Sequence, residues 1–437
     1  MGEPVLPPTP AAAAALLRLL SQLGHVLLSS GEVVRLVEDT VQRIAVAHGA
    51  RRISIVAFPT ALFVQFEDDG GLHLEFTSHK GVDLRFDQIE EIFALANDAA
   101  HADFAPEEGL RRLAAILERP PVLPLPAKAG GHMLASAGIA LLLQPTLGAM
   151  VAAAGLGLMV GVLKLFAANR GMLSNLLPTT AAFLVAAVAL AGSHYGFFSS
   201  SPLNVLLAAV VTLLPGGALA VATMELAYGG MVSGAVRFVA GLLQLAFLIL
   251  GMVMAASLVG LPPDRLLAQG AQGSLGPWAG WAGVVLFGIG HVLHYSARLR
   301  TLPWVFLVLT IAQTGHLLGN AAFGGYMGGF VGALVVTPTV YLIQYQLGGP
   351  PAITNFLPAL WLLVPGALGA TGLAGLVAED HLAGLQDFVT ALFSIVAIAF
   401  GALFGAGLYD QLVEPIFRRG GAVLAQPWVF SWPRRGK

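Results

Sequence analysis

Thr212 to Leu219 reads TLLPGGAL, and Trp361 to Leu368 reads WLLVPGAL. Pro215 falls 150 residues before Pro365, and the same offset places Gly234 on Gly384, Phe238 on Phe388 and Gly251 on Gly401. Each stretch lies inside a long apolar run. Proline removes a helical hydrogen-bond donor and clashes with the preceding turn. In hydrocarbon, backbone groups freed in this way must be buried in protein or line a cavity. Matching interruptions in two halves of a chain point to a transport site built on broken helices.

Composition agrees with a membrane body. Hydrophobic residues make up 57% of the chain and charged residues 11%, against roughly 25% charged in a soluble protein. Of the 46 Asp, Glu, Lys and Arg, 28 precede residue 131, which separates a polar head from an apolar remainder. The net charge of −2 gives no reason to expect nucleic acid as a partner. With no cysteine there is no disulfide, thiolate metal site or Cys nucleophile. No G-x-x-x-x-G-K-[ST] run occurs, so ATP hydrolysis is not indicated. No cofactor is expected.

The chain divides into a disordered start (1–10), a cytoplasmic α+β domain (11–119), a Pro-rich linker (120–130), a first membrane repeat (131–261), a connecting loop (262–276), a second repeat (277–411) and a basic tail (412–437). In the head, Ala11 to Gly49 carries two helical patterns, Arg52–Phe58, Ala61–Glu67 and Leu72–Thr77 read as strands, and Asp87–Asn97 and Pro106–Glu118 return to helix. His73, Glu75 and His79 alternate along the third strand, which reads as a solvated face rather than a metal site.

A spanning helix needs about 20 mostly apolar residues. Ten spans fit, near 132–146, 147–167, 172–193, 202–226 and 231–260, then 277–295, 302–319, 324–345, 353–376 and 384–410. Gln144-Pro145 marks either a tight loop or a kink. With the head inside, Lys164, Arg170, Arg237, Arg298, Arg300 and the tail fall on the cytoplasmic side, and Arg265 is the one basic residue outside. By the positive-inside rule, both termini are cytoplasmic. Five spans per half make the halves inverted repeats. A weaker echo pairs Pro178-Thr179 with Pro338-Thr339 at an offset of 160. The fold class is therefore a polytopic α-helical membrane protein of about ten helices in two inverted five-helix repeats, with a small α+β N-terminal domain.

The segments LGHVLLSSGEVVRLVEDTVQRIAVAHG (Leu23–Gly49) and VAFPTALFVQF (Val56–Phe66) resemble the N-terminal region of the threonine/serine exporter family. TLLPGGALAVATMELAYGGMVSGAVRF (Thr212–Phe238) and NFLPALWLLVPGALG (Asn355–Gly369) are similar to its two membrane signatures, both on one chain as in the fused form. The resemblance implies export of threonine or serine across a bacterial inner membrane. Where the family pattern leads us to expect Asp about ten residues after the first Pro-Gly, this chain has Glu225.

An amino acid needs partners for its ammonium, its carboxylate and, here, a hydroxyl. Glu225, the only acid between Lys128 and Arg237, is a candidate for the ammonium or for a coupling proton; its alternative is a helix-end carboxylate. Arg237 is the candidate carboxylate partner, or else a snorkelling anchor. Asp387, its repeat counterpart, suits an outer gate or a solvated helix start. Pro215, Gly216, Gly217, Pro365 and Gly366 expose backbone groups, unless they serve only close helix packing. His316, Thr337 and Asn355 are further polar pathway candidates, each of which an interhelical hydrogen bond would also explain. His291 and His294 lie one turn apart near a cytoplasmic end, where water contact accounts for them. Protons are the expected coupling ion, the bilayer the expected surroundings, and a homo-oligomer stays open. Two other readings stand beside the exporter of threonine or serine. One is a dicarboxylate (succinate) exporter, and the other is a membrane-anchored hydrolase.

Overall fold

The computed structural model describes residues 10–68, 71–78, 81–143, 146–168, 170–197, 201–261, 275–324, 327–363 and 381–419. They form two compact units. One holds the head to Val122 together with Met224–Arg237; the other holds Leu123–Thr223 and everything from Phe238. The segment Met224–Arg237, placed by sequence inside the first membrane repeat, therefore packs as part of the head unit.

The head begins with α1 (Pro10–Ser29) and α2 (Val34–Ala47), followed by a meander of β1 (Arg51–Phe58), β2 (Ala61–Asp68) and β3 (Gly71–Ser78), then α3 (Phe86–Ala100) and α4 (Pro106–Glu118). The strands pair antiparallel, with Val56 opposite Phe63 and Phe63 opposite Phe76. Period-2 alternation turns Leu62, Val64 and Phe66 of β2 into the core, all fully buried. Against them lies α1, whose Leu16, Leu19, Leu20 and Leu23 are also fully buried. A Cβ at Gly24 would stand 2.5 Å from Leu62 Cδ2, so glycine lets α1 approach the sheet. Gln88 closes the domain: its Nε2 donates to the Ile116 and Leu117 carbonyls at the end of α4.

The sheet corrects one reading. His73 and Glu75 lie on its half-buried side, beside Thr77, whose hydroxyl bonds Ser21 of α1. The exposed side carries Leu72, Leu74 and Phe76 instead.

The second unit starts earlier than the composition suggested. Helix α5 (Leu125–Leu143) takes Pro126 into its first turn, where no N–H is needed. It is separate from α6 (Leu147–Ala167), whose N-cap Thr146 accepts from Ala149 N–H at 3.1 Å; Gln144-Pro145 lies outside the described residues. Then follow α7 (Gly171–His194), α8 (Pro202–Ala209), α9 (Gly216–Ala227) and α10 (Met231–Val259). The second half has α11 (Trp278–His294), α12 (Leu302–Phe323), α13 (Met327–Tyr345), α14 (Ala352–Leu363), α15 (His381–Leu408) and α16 (Glu414–Arg419). Among the described residues, seven helices are long and apolar enough to cross a membrane, or eight counting the bent α8–α9 pair. One of the seven is α1, whose apolar content is explained by burial within the head.

Glycines set how closely the helices approach. A Cβ at Gly131 of α5 would meet Gly290 O of α11 at 2.7 Å, and one at Gly138 would meet Gly283 O at 2.5 Å. In α10, Gly251 abuts Thr179 and Phe183 of α7, and in α15, Gly401 abuts Phe330 and Ala333 of α13. These last contacts relate α7 to α13 at an offset near 150, rather than the 160 of the Pro-Thr echo.

Candidate functional site

The first Pro-Gly stretch breaks its span. After α8 comes a 3-10 turn at Val211–Leu213, then Pro215, then α9, with a bend of 65°. The carbonyl of Leu213, released from the ladder, accepts from Gln244 Nε2 of α10 at 2.6 Å. Pro215, Gly216 and Gly217 are buried. A Cβ at Gly217 would stand 3.3 Å from Leu357 and 3.7 Å from Trp361 Nε1, so the first motif packs on the helix that carries the start of the second. Pro365 and Gly366 lie outside the described residues, as does the side chain of Asp387.

A polar network lies at the break. Lys164 Nζ of α6 donates to Thr212 Oγ1 at 3.0 Å and meets His294 Nε2 of α11 at 2.7 Å. His294 Nδ1 is 2.9 Å from the Lys128 carbonyl, so Nδ1 carries the proton and Nε2 accepts from the lysine. Thr212, having accepted from Lys164, has its one proton to give to His132 Nε2 at 2.9 Å. Tyr295 lies under the ammonium at 5.6 Å and stacks on Trp361 at 5.2 Å. Sequence reasoning missed Lys164 and His132 and assigned His294 to water contact. His294 is in fact 9% exposed and His132 fully buried. One signal was available: Lys164 is the single lysine between Lys128 and Lys437.

The other candidates divide. Asn355 is 1% exposed, and neither its Oδ1 nor its Nδ2 finds a partner among the described residues. Such a buried amide costs about 1–3 kcal/mol until something pairs with it. Thr337, by contrast, returns its hydroxyl to the Ala333 carbonyl at 2.8 Å and packs on Gly405. His316 meets Asn320 Nδ2 at 3.0 Å, and Asn320 Oδ1 accepts from Gly328 N–H, which ties α12 to the first turn of α13.

Glu225 and Arg237 come together in the head unit, with Oε2 3.4 Å from Nε. A third contact was not legible. Glu225 Oε1 accepts the Val34 N–H at the start of α2 at 3.1 Å, and Arg237 donates to the Glu32 carbonyl at 3.2 Å. The carboxylate thus sits on a helix N-terminus, where the macrodipole favours an anion. Glu32 has its pKa pushed up to about 7 by burial, opposed by the Val33 N–H and by Arg237. Its contribution to holding this loop is complete below the ordinary value of 4.5 and is lost as pH rises through about 7, because the docked carboxyl must then ionise. Amide exchange at 31–37, corrected for intrinsic rate, is therefore expected to quicken between pH 6 and pH 8. Glu32→Gln should remove that difference; an unchanged difference would assign it to another group.

The model of the family described as "Putative threonine/serine exporter" matches residues 18–259. Among curated proteins, the pheromone-regulated membrane protein 10 of Kluyveromyces lactis is 27% identical over 289 residues, covering 60% of this chain and 29% of that protein. Its namesake in Debaryomyces hansenii is 27% identical over 272 residues, covering 57% of this chain and 26% of that protein. The one from Eremothecium gossypii is 24% identical over 267 residues, covering 58% and 35%. The chain thus spans roughly a third or less of the relatives it matches. No solved structure matches. With more than half its length under the family model, and with the apolar helices described above, this multi-pass membrane protein belongs to the threonine/serine exporter family.

Proposed function

We propose that the protein is a secondary exporter of small hydroxy amino acids, threonine or serine, driven by the proton gradient. The observation that carries the reading is the broken α8–α9 span, with Gly217 packed on the second motif and Lys164, Thr212, His132 and His294 gathered at the break. Broken helices at matching places in two halves are where transporters hold small polar cargo. In this reading the spans are α5, α6, α7, α8–α9 and α10, then α11, α12, α13, the span of which α14 is the described part, and α15. The halves are inverted repeats, which the reciprocal glycine contacts of α5 and α11 support. Head and termini face the cytoplasm by the positive-inside rule. The family resemblance carries the bacterial inner membrane, and the curated relatives, all from yeasts, bear only on there being a membrane.

Lys164 favours a second reading. A succinate exporter needs cationic donors, and the Lys164 ammonium at the break is one. Efflux from cells loaded with a threonine-containing dipeptide separates the two. Threonine release is expected to exceed that of empty-vector cells, to fall at least tenfold in Glu225→Gln, and to stop when the proton gradient is collapsed. Release equal to the vector control, with succinate efflux raised, would put the dicarboxylate first. Threonine export that survives gradient collapse would remove the proton coupling alone.

A further inference from the structure

The head unit carries a half-open cavity of about 270 Å³, built jointly by α2, the end of β1 and the 225–233 segment. Pockets for drug-sized ligands run from about 300 to 1,000 Å³, so this one is of a size for a small metabolite such as a free amino acid. Its wall carries both signs of charge: the carboxylates of Glu38 and Glu225 and the guanidinium of Arg35, which also pairs with Asp39 at 3.6 Å. Glu225 is 1% exposed; its Oε1 holds Val34 N–H, and its Oε2 faces Arg237 Nε at 3.4 Å as an ion pair but accepts no hydrogen bond among the described residues. A buried carboxylate oxygen in that state is stabilised by any donor that reaches it. The 29-residue helix α10 begins in the same wall. The first-turn N–H groups of Val232 and Ser233 have no intrahelical acceptor, and they sit at the positive end of its dipole, where carboxylates bind.

We propose that this cavity binds a free α-amino acid, its ammonium on Glu225 and Glu38 and its carboxylate on the α10 N-terminus and Arg35. The choice of threonine or serine within that class rests on the exporter reading. What the cavity adds is that the head supplies part of the binding wall, so the substrate meets the head and Glu225 together. A dicarboxylate would press its second anionic group against Glu38 and Glu225, so the site selects against succinate.

The test is calorimetric titration of the detergent-solubilised full-length protein with L-threonine, L-threoninamide and succinate. L-Threonine should bind, the amide at least tenfold more weakly, and succinate should not compete. Glu38→Gln, whose side-chain oxygen can still accept the Ala57 N–H that Glu38 holds at 2.9 Å, should weaken threonine at least tenfold. In the wild type, threonine should slow hydrogen exchange at 33–38 and 228–233, a readout that depends on no variant. Threonine bound with wild-type affinity by Glu38→Gln, or without slowed exchange in those segments, overturns the cavity assignment and leaves the exporter reading standing. Succinate bound in preference to threonine overturns it as well. If threonine neither binds nor leaves loaded cells, both fall together.

Discussion

Lys164→Met is expected to lower threonine efflux on the order of 100-fold while the protein still folds and reaches the membrane. Methionine keeps the length and the packing of the stem but removes the ammonium, and with it the bonds to Thr212 and His294. Hydrogen bonds to charged groups contribute about 1.5–3 kcal/mol each. Removing a buried charge also removes its desolvation cost, so such replacements are often neutral or stabilising. That asymmetry makes the variant informative. Thr212 and His132 lose the donor that orients them beside the break, whereas Tm should be unchanged or higher. Lys164→Arg, which retains charge but not shape, should recover part of the efflux. Normal efflux from Lys164→Met would make the network a structural clamp.

The second large effect is on assembly. Gly290→Leu should leave little folded protein in the membrane. At that position a Cβ would collide with Ala135 N and lie 2.6 Å from Gly131 O, both backbone atoms that cannot turn aside. Leucine would therefore force α5 and α11 apart along their whole contact, stripping van der Waals packing where small residues are what allow association. Overpacking alone costs about 1–3 kcal/mol, occasionally more, and here it meets rigid main chain on both sides. Gly280→Leu, on the same helix with only Leu142 Cδ2 nearby at 3.9 Å, should be tolerated. Folded yields compared by size-exclusion profiles of the two variants would settle it; equal yields would mean that the helices can separate at little cost.

The apolar elements were legible because their patterns are local. The span read over 231–260 is α10 at Met231–Val259, and the strands of the head fall within a residue or two of their expected ends. The start of α5 was not, since prolines that mark a linker also fit a first helical turn. For the site, the twelve-residue spacing of Glu225 and Arg237 was readable, and the structure brings them within 3.4 Å. Their link to Val34, across 191 positions, leaves no periodic trace. The Lys164 network was hidden for a different reason. Lysine at a cytoplasmic helix end satisfies the positive-inside rule whether it meets lipid headgroups or a buried histidine, so charge counting cannot tell the two apart.

The glycine contacts of α5 and α11 carry a consequence for how the chain is made. Gly131 meets Gly290 and Gly138 meets Gly283, and a shift of 152 residues turns each α5 glycine into its counterpart on α11. Each face is thus complementary to a near copy of itself, as at an isologous dimer interface. Two halves made as separate polypeptides could find each other through it, but each could also mate with its own kind. Joining them on one chain raises the effective concentration of the proper mate far above that of any other. The peptide between the halves would then act as a matchmaker, suppressing like-with-like products that the glycine faces by themselves would allow.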